Sequence, residues 1–122
     1  MNPDEALEFC ARWLPLWTGD RPEELAAMYT DDLYYRDPAR PDGIRGKADF
    51  LAYLRKLLAR NPRWRWEAVE TFPLEGGFVL RWRAEVPLPD GREVKVEGLD
   101  LVFVREGRIV RNEVYFDRSA LR

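Results

Sequence analysis

The chain has 122 residues, 46% hydrophobic and 34% charged, which is enough apolar material for one core and places it within the range of a single domain spanning residues 1–122. Its 20 basic and 22 acidic side chains give a net charge of -2, without the positive excess that binds nucleic acid or an anionic membrane. Histidine is absent and Cys10 is the only cysteine, so histidine bases, thiolate metal clusters and internal disulfides are excluded, and proton transfer falls to carboxylates, tyrosines, lysines or bound water.

Asn2 is placed to cap a first helix that opens at Pro3, with Asp4 and Glu5 in its first turn, where acidic groups complement the helix dipole. Those acids, with Glu8, stand where a secretory leader would carry Lys or Arg, and no apolar run approaches the ~20 residues of a membrane span, so the expected location is the cytoplasm. Leu7, Cys10, Leu14 and Trp17 recur at helical spacing, with Phe9 and Trp13 beside them. Cys10 reads as a packing residue, since no histidine could activate its thiol. Pro15 should kink the helix and Thr18-Gly19-Asp20 should end it.

A shorter helix is expected from Pro22 to Asp31-Asp32, with Leu25, Met28 and Tyr29 on one face. A strand over residues 33–37 follows, then an irregular loop through Pro38, Pro41 and Gly43. The spacing of Phe50, Leu51, Leu54, Leu57 and Leu58 predicts a helix over 47–60. Beyond Asn61-Pro62 the apolar period changes to two, predicting strands over 64–72, 78–86, 92–105 and 108–117, joined by short turn-forming links. Such links favour antiparallel neighbours. Helices followed by a run of strands predict an α+β domain, a curved antiparallel sheet wrapped around three helices as a cone-shaped barrel with one deep pocket.

Alternation divides each strand between an inner and an outer face. The inner face of the fourth predicted strand reads Val94, Val96, Gly98, Asp100, Val102, Val104, one carboxylate in a row of apolar side chains. The last strand reads Val110, Asn112, Val114 and Phe116, and the first reads Leu33, Tyr35 and Asp37. A carboxylate among apolar neighbours must find donors or shift its pKa upward. Asp37 and Asp100 are therefore the candidate catalytic pair, and Asn112 a candidate orienting group. Trp13, Trp17, Tyr35, Tyr53, Trp64, Trp66, Trp82 and Phe116 are the expected walls for a small apolar molecule, with no metal or cofactor. The Arg-Trp alternation at 63–66 and 81–83 follows the strand period, tryptophan in and arginine out, and needs no nucleic acid to explain it. Leu99, Leu101, Phe103, Val79 and Tyr115 fall on the outer face, an apolar patch expected to close a homodimer.

The element order, with Tyr34-Tyr35-Arg36-Asp37-Pro38, Gly98-Leu99-Asp100 and the segment from Arg108-Ile109-Val110 to Tyr115-Phe116-Asp117, resembles the nuclear-transport-factor-two-like superfamily, and within it the SnoaL-like polyketide cyclases. The resemblance to the ketosteroid isomerases of that superfamily implies Asp37, followed by Pro38, as general base and a protonated Asp100 as donor to an oxyanion. Their tyrosine on the first helix has Arg12 or Trp13 near its place here. The limonene epoxide hydrolases are similar in layout through Tyr35, Asp37, Asp100 and Asn112, with Gly98 where their arginine stands. Two classes stay open: a cofactor-independent isomerase, cyclase or hydrolase, and a non-catalytic ligand-binding or dimerisation module.

Overall fold

A computed structural model describes residues 1–121. The first helix, α1 (Pro3–Trp13), begins as a capping box: the Asn2 side chain accepts from the Glu5 amide at 2.8 Å and the Glu5 carboxylate accepts from the Asn2 amide at 3.2 Å. Its buried stripe is Ala6, Phe9, Cys10 and Trp13, one residue out of step with the expected one, so Leu7 is left 41% exposed. Pro15 has no amide to continue the α-helical ladder, and the chain tightens there into a 3-10 turn, Leu14–Trp17, that buries Leu14 and Trp17.

The second helix, α2 (Pro22–Ala26), stops well short of Asp31, and strand β1 (Tyr29–Asp37) starts where a helix was expected. Tyr29 is consequently a buried strand residue. The segment expected to be an irregular loop pairs with β1 as strand β2 (Arg40–Arg45), Asp37 opposite Arg40 across a two-residue turn of Pro38 and Ala39. An edge strand can hold Pro41, whose missing amide costs no ladder bond when it faces outward. Helix α3 (Lys47–Arg60) buries Phe50, Leu54 and Leu58.

Strands β3 (Arg65–Leu74), β4 (Gly77–Pro87), β5 (Glu93–Arg105) and β6 (Arg108–Tyr115) form the predicted antiparallel meander. The six-stranded sheet has the order β2-β1-β6-β5-β4-β3 and is open, with β2 and β3 at its edges. One pair departs from the antiparallel expectation, for β1 runs parallel to β6, with Tyr35 opposite Asn112. Two irregularities shift the expected faces. Val69 is an extra residue on β3, so Thr71 turns inward and Phe72 outward, and Val110 is an extra residue on β6, so Ile109 takes the buried place expected for it. No helix among the described residues is long and apolar enough to cross a membrane.

Candidate functional site

Asp37 ends β1, and the hairpin turn that follows is built on its side chain. Its Oδ1 accepts from the amides of Ala39 at 2.9 Å and Arg40 at 3.0 Å, while its Oδ2 accepts from the hydroxyls of Tyr35 at 2.7 Å and Tyr53 at 2.5 Å. Four donors on two oxygens match the acceptor inventory of a carboxylate. Burial first, and the neighbouring Asp37 second, raise both the Tyr35 and the Tyr53 phenols well above their ordinary value and hold them in the protonated form.

Asp100 lies mid-strand on β5, 5% exposed, and has a different environment. Trp82 Nε1 donates to its Oδ1 at 2.7 Å and Asn112 Nδ2 donates to its Oδ2 at 2.9 Å. Behind Asn112 the chain of bonds continues: Tyr29 Oη donates to Asn112 Oδ1 at 2.8 Å and accepts from Trp13 Nε1 at 3.2 Å. Burial raises the Asp100 pKa to about 7; its two donors oppose that rise and the charge on Asp37 adds to it. The carboxyl is thus poised to take up or release a proton near neutrality.

Gly98 makes this arrangement possible. It faces Trp82 across the β4–β5 ladder, and a Cβ there would overlap the indole and stand 2.7 Å from the Tyr115 carbonyl oxygen. The indole lies across the bare backbone of β5 and reaches Asp100 two residues on.

Both carboxylates line one cavity of about 190 Å³ between the sheet and the helices. Trp17, Tyr35, Tyr53, Trp64, Trp66, Trp82 and Phe116, all expected on its walls, do line it. Trp13 and Asn112 do not: each is fully buried behind the wall, bonded to Tyr29, because the start of β1 lies between them. Leu14, Leu57 and Val114, placed on apolar faces by their spacing but not named as walls, also line the cavity, and sequence reasoning missed Pro38 and Ala39 as lining residues. Arg118, itself exposed, at the start of the C-terminal 3-10 turn Arg118–Leu121, also lines the cavity, and nothing in the strand pattern announced it. Cys10 is buried and its thiol is pushed up to about 12, by burial first and the Asp100 charge second, which leaves it unreactive. Among the described residues no three His, Cys, Asp or Glu side chains converge as metal ligands.

The SnoaL-like domain profile matches residues 10–112, most of the chain. The protein belongs to the SnoaL-like family. Solved structures agree on the fold. A Catenulispora acidiphila protein of ketosteroid isomerase-like fold, in complex with trimethylamine, is 17% identical with a TM-score of 0.81, over 92% of this chain and 87% of that one. A proposed SnoaL-like polyketide cyclase from Jannaschia is 15% identical with a TM-score of 0.78, over 98% and 90%. A Mycobacterium tuberculosis protein in complex with estradiol-17beta-hemisuccinate is 21% identical with a TM-score of 0.75, over 92% and 93%. No curated protein matches the sequence.

Proposed function

We infer that this SnoaL-like domain binds a small organic molecule in the aromatic cavity and that Asp100 exchanges a proton with it. The observation that carries the reading is a cavity-lining carboxyl, buried, on two protein donors, with a pKa raised to about 7 by burial. A group poised near the working pH is the effective general acid or base in an isomerisation, a cyclisation or a hydrolysis. Asp37 has four donors on its two oxygens and serves as a positioning residue, fixing the Tyr35 and Tyr53 rings and the turn that closes one side of the cavity. Its charge adds to the rise in Asp100 proton affinity that burial causes. Structural neighbours holding trimethylamine and a steroid ester in the same fold support a ligand-binding role.

A thermal-shift screen of small organic molecules, followed by titration of any hit against the parent protein and Asp100→Asn, tests this. Binding should involve uptake or release of a proton in the parent and none in the variant. A ligand bound with no proton linkage in either would favour the non-catalytic module instead.

The same reading includes a homodimer through the outer sheet face. Leu99 is 43% and Tyr115 46% exposed there, beside Phe72 at 45%, with Val79, Leu101 and Phe103 half-buried between them. An apolar face of this kind on a small chain fits a self-complementary interface.

A further inference from the structure

The cavity wall is largely apolar, and its few polar groups are mostly turned back into the protein. Tyr35 and Tyr53 spend their hydroxyl protons on Asp37, Trp64 Nε1 donates to the Trp17 carbonyl at 2.6 Å, and Trp82 Nε1 donates to Asp100. Trp66 Nε1 is buried without a partner and without access to the cavity's solvent. A neutral ligand with a carbonyl or epoxide oxygen needs donors, and among the described residues the side-chain N–H donors of this wall that are not engaged within the protein are the enclosed Trp66 Nε1 and the exposed Arg118. What the wall offers instead is aromatic faces and the negative charge of two carboxylates whose oxygens are already bonded within the protein.

The rings also form a box. Trp66 meets Trp82 at 80° with centroids 4.7 Å apart, Trp82 meets Phe116 at 68° and 5.6 Å, Trp17 meets Trp66 at 60° and 6.4 Å, and Trp64 meets Trp66 at 71° and 5.2 Å. An edge-to-face pair covers part of one ring with the edge of the other, and the ring faces left over on this aromatic wall are surfaces that attract a cation without hydrogen bonds. A cavity of about 190 Å³ holds roughly six waters at ~30 Å³ each, enough for a trimethylammonium head with a short tail.

We propose that the ligand of this pocket is a small organic cation, a tertiary or quaternary alkylammonium, held by the tryptophan box and the two carboxylates. This names the substrate class of the site inferred above and rests on that reading. Among the described residues the one cationic side chain on the wall is Arg118, which is exposed, so its charge is solvated. The groups around Asp100 are Asp37 and Tyr29 from β1, Cys10 from α1, Trp82 from β4 and Asn112 from β6, and none of them is a cation. An ammonium beside Asp100 therefore meets uncompensated negative charge, and its binding should tighten as Asp100 loses its proton.

The test compares choline with its uncharged carbon isostere, in which tert-butyl replaces trimethylammonium, by following indole N–H resonances at matched ionic strength. At about pH 8.5, where a carboxyl of the Asp100 type is ionised, choline should bind about tenfold tighter than the isostere, and the ratio should shrink severalfold at about pH 5.5. Asp100→Asn should abolish that pH dependence. Should this variant fail to fold, Trp66→Leu takes its place and should weaken choline more than the isostere. Equal or tighter binding of the isostere overturns the cation proposal and leaves the pocket reading standing. Failure of both probes overturns the proposal as well, and failure of a wider panel of uncharged molecules to move any indole resonance overturns the pocket reading with it.

Discussion

Replacing Asp100 by asparagine should change how stability depends on pH. The unfolded carboxyl titrates at 3.8 and the folded one at about 7, so both states are protonated below 3.8 and stability is then at its fullest. As pH rises through the interval, the unfolded chain ionises first and stability falls; above about 7 both states are ionised and the loss is complete. At ~1.4 kcal/mol per pKa unit the full loss is about 4 kcal/mol, and about 3 kcal/mol of it falls between about pH 4.5 and pH 8.5. The variant cannot ionise and escapes this loss. It gives up something else at every pH: its Oδ1 can still accept from Trp82, but its amide nitrogen faces Asn112 Nδ2, a donor against a donor, which costs about 1–2 kcal/mol. Asp100→Asn should therefore be the less stable protein in acid and the more stable one in base. Urea unfolding followed by tryptophan fluorescence, at one protein concentration, gives both curves. Two curves that stay parallel across that range would refute the placement of an uncompensated carboxyl in this cavity.

Gly98→Ala should push the Trp82 indole off β5, destabilise the fold by about 1–3 kcal/mol, and raise the Asp100 pKa further by removing a donor; near-ultraviolet circular dichroism and the indole N–H resonance report the displacement. Tyr53→Phe removes one of the four donors to Asp37 and should cost about 1 kcal/mol in urea unfolding, while the parent Tyr53, raised by burial and by Asp37, should add no phenolate absorbance over the variant's at about pH 11. Leu101→Glu should yield monomers by sedimentation while leaving the cavity residues in place, and a parent chain that sediments as a monomer at micromolar concentration would end the dimer reading.

Much of the inner face was legible because alternation is a local property. Trp66, Trp82, Asp100 and Val114 each follow from the period of their own strand, and Asp37 from its place before Pro38. What escaped depended on pairing partners that periodicity does not encode. Strand β2 was read as loop because Pro41 and Gly43 disfavour a strand, yet a hairpin edge needs a ladder on one side only. Val69 and Val110 sit as single insertions, invisible until the opposing strand is aligned, and each turns over the residues beyond it. Asn112 and Trp13 were placed on the pocket wall because they are polar or aromatic on the right face. The parallel pairing of β1 with β6 brings Tyr29 between them, joining residues 83 positions apart in one hydrogen bond. The donor pattern around the two carboxylates, which separates a positioning role from a proton-exchanging one, arises from those distant contacts.

The central claim is that Asp100 changes protonation near neutrality inside a ligand-sized cavity, and carbon NMR of aspartate labelled at its side-chain carboxyl reads it directly. Assigned through Asp100→Asn, the Asp100 resonance should titrate with a midpoint at about 7 and shift that midpoint when a ligand occupies the cavity. A midpoint near the ordinary aspartate value of 3.8 would contradict the account.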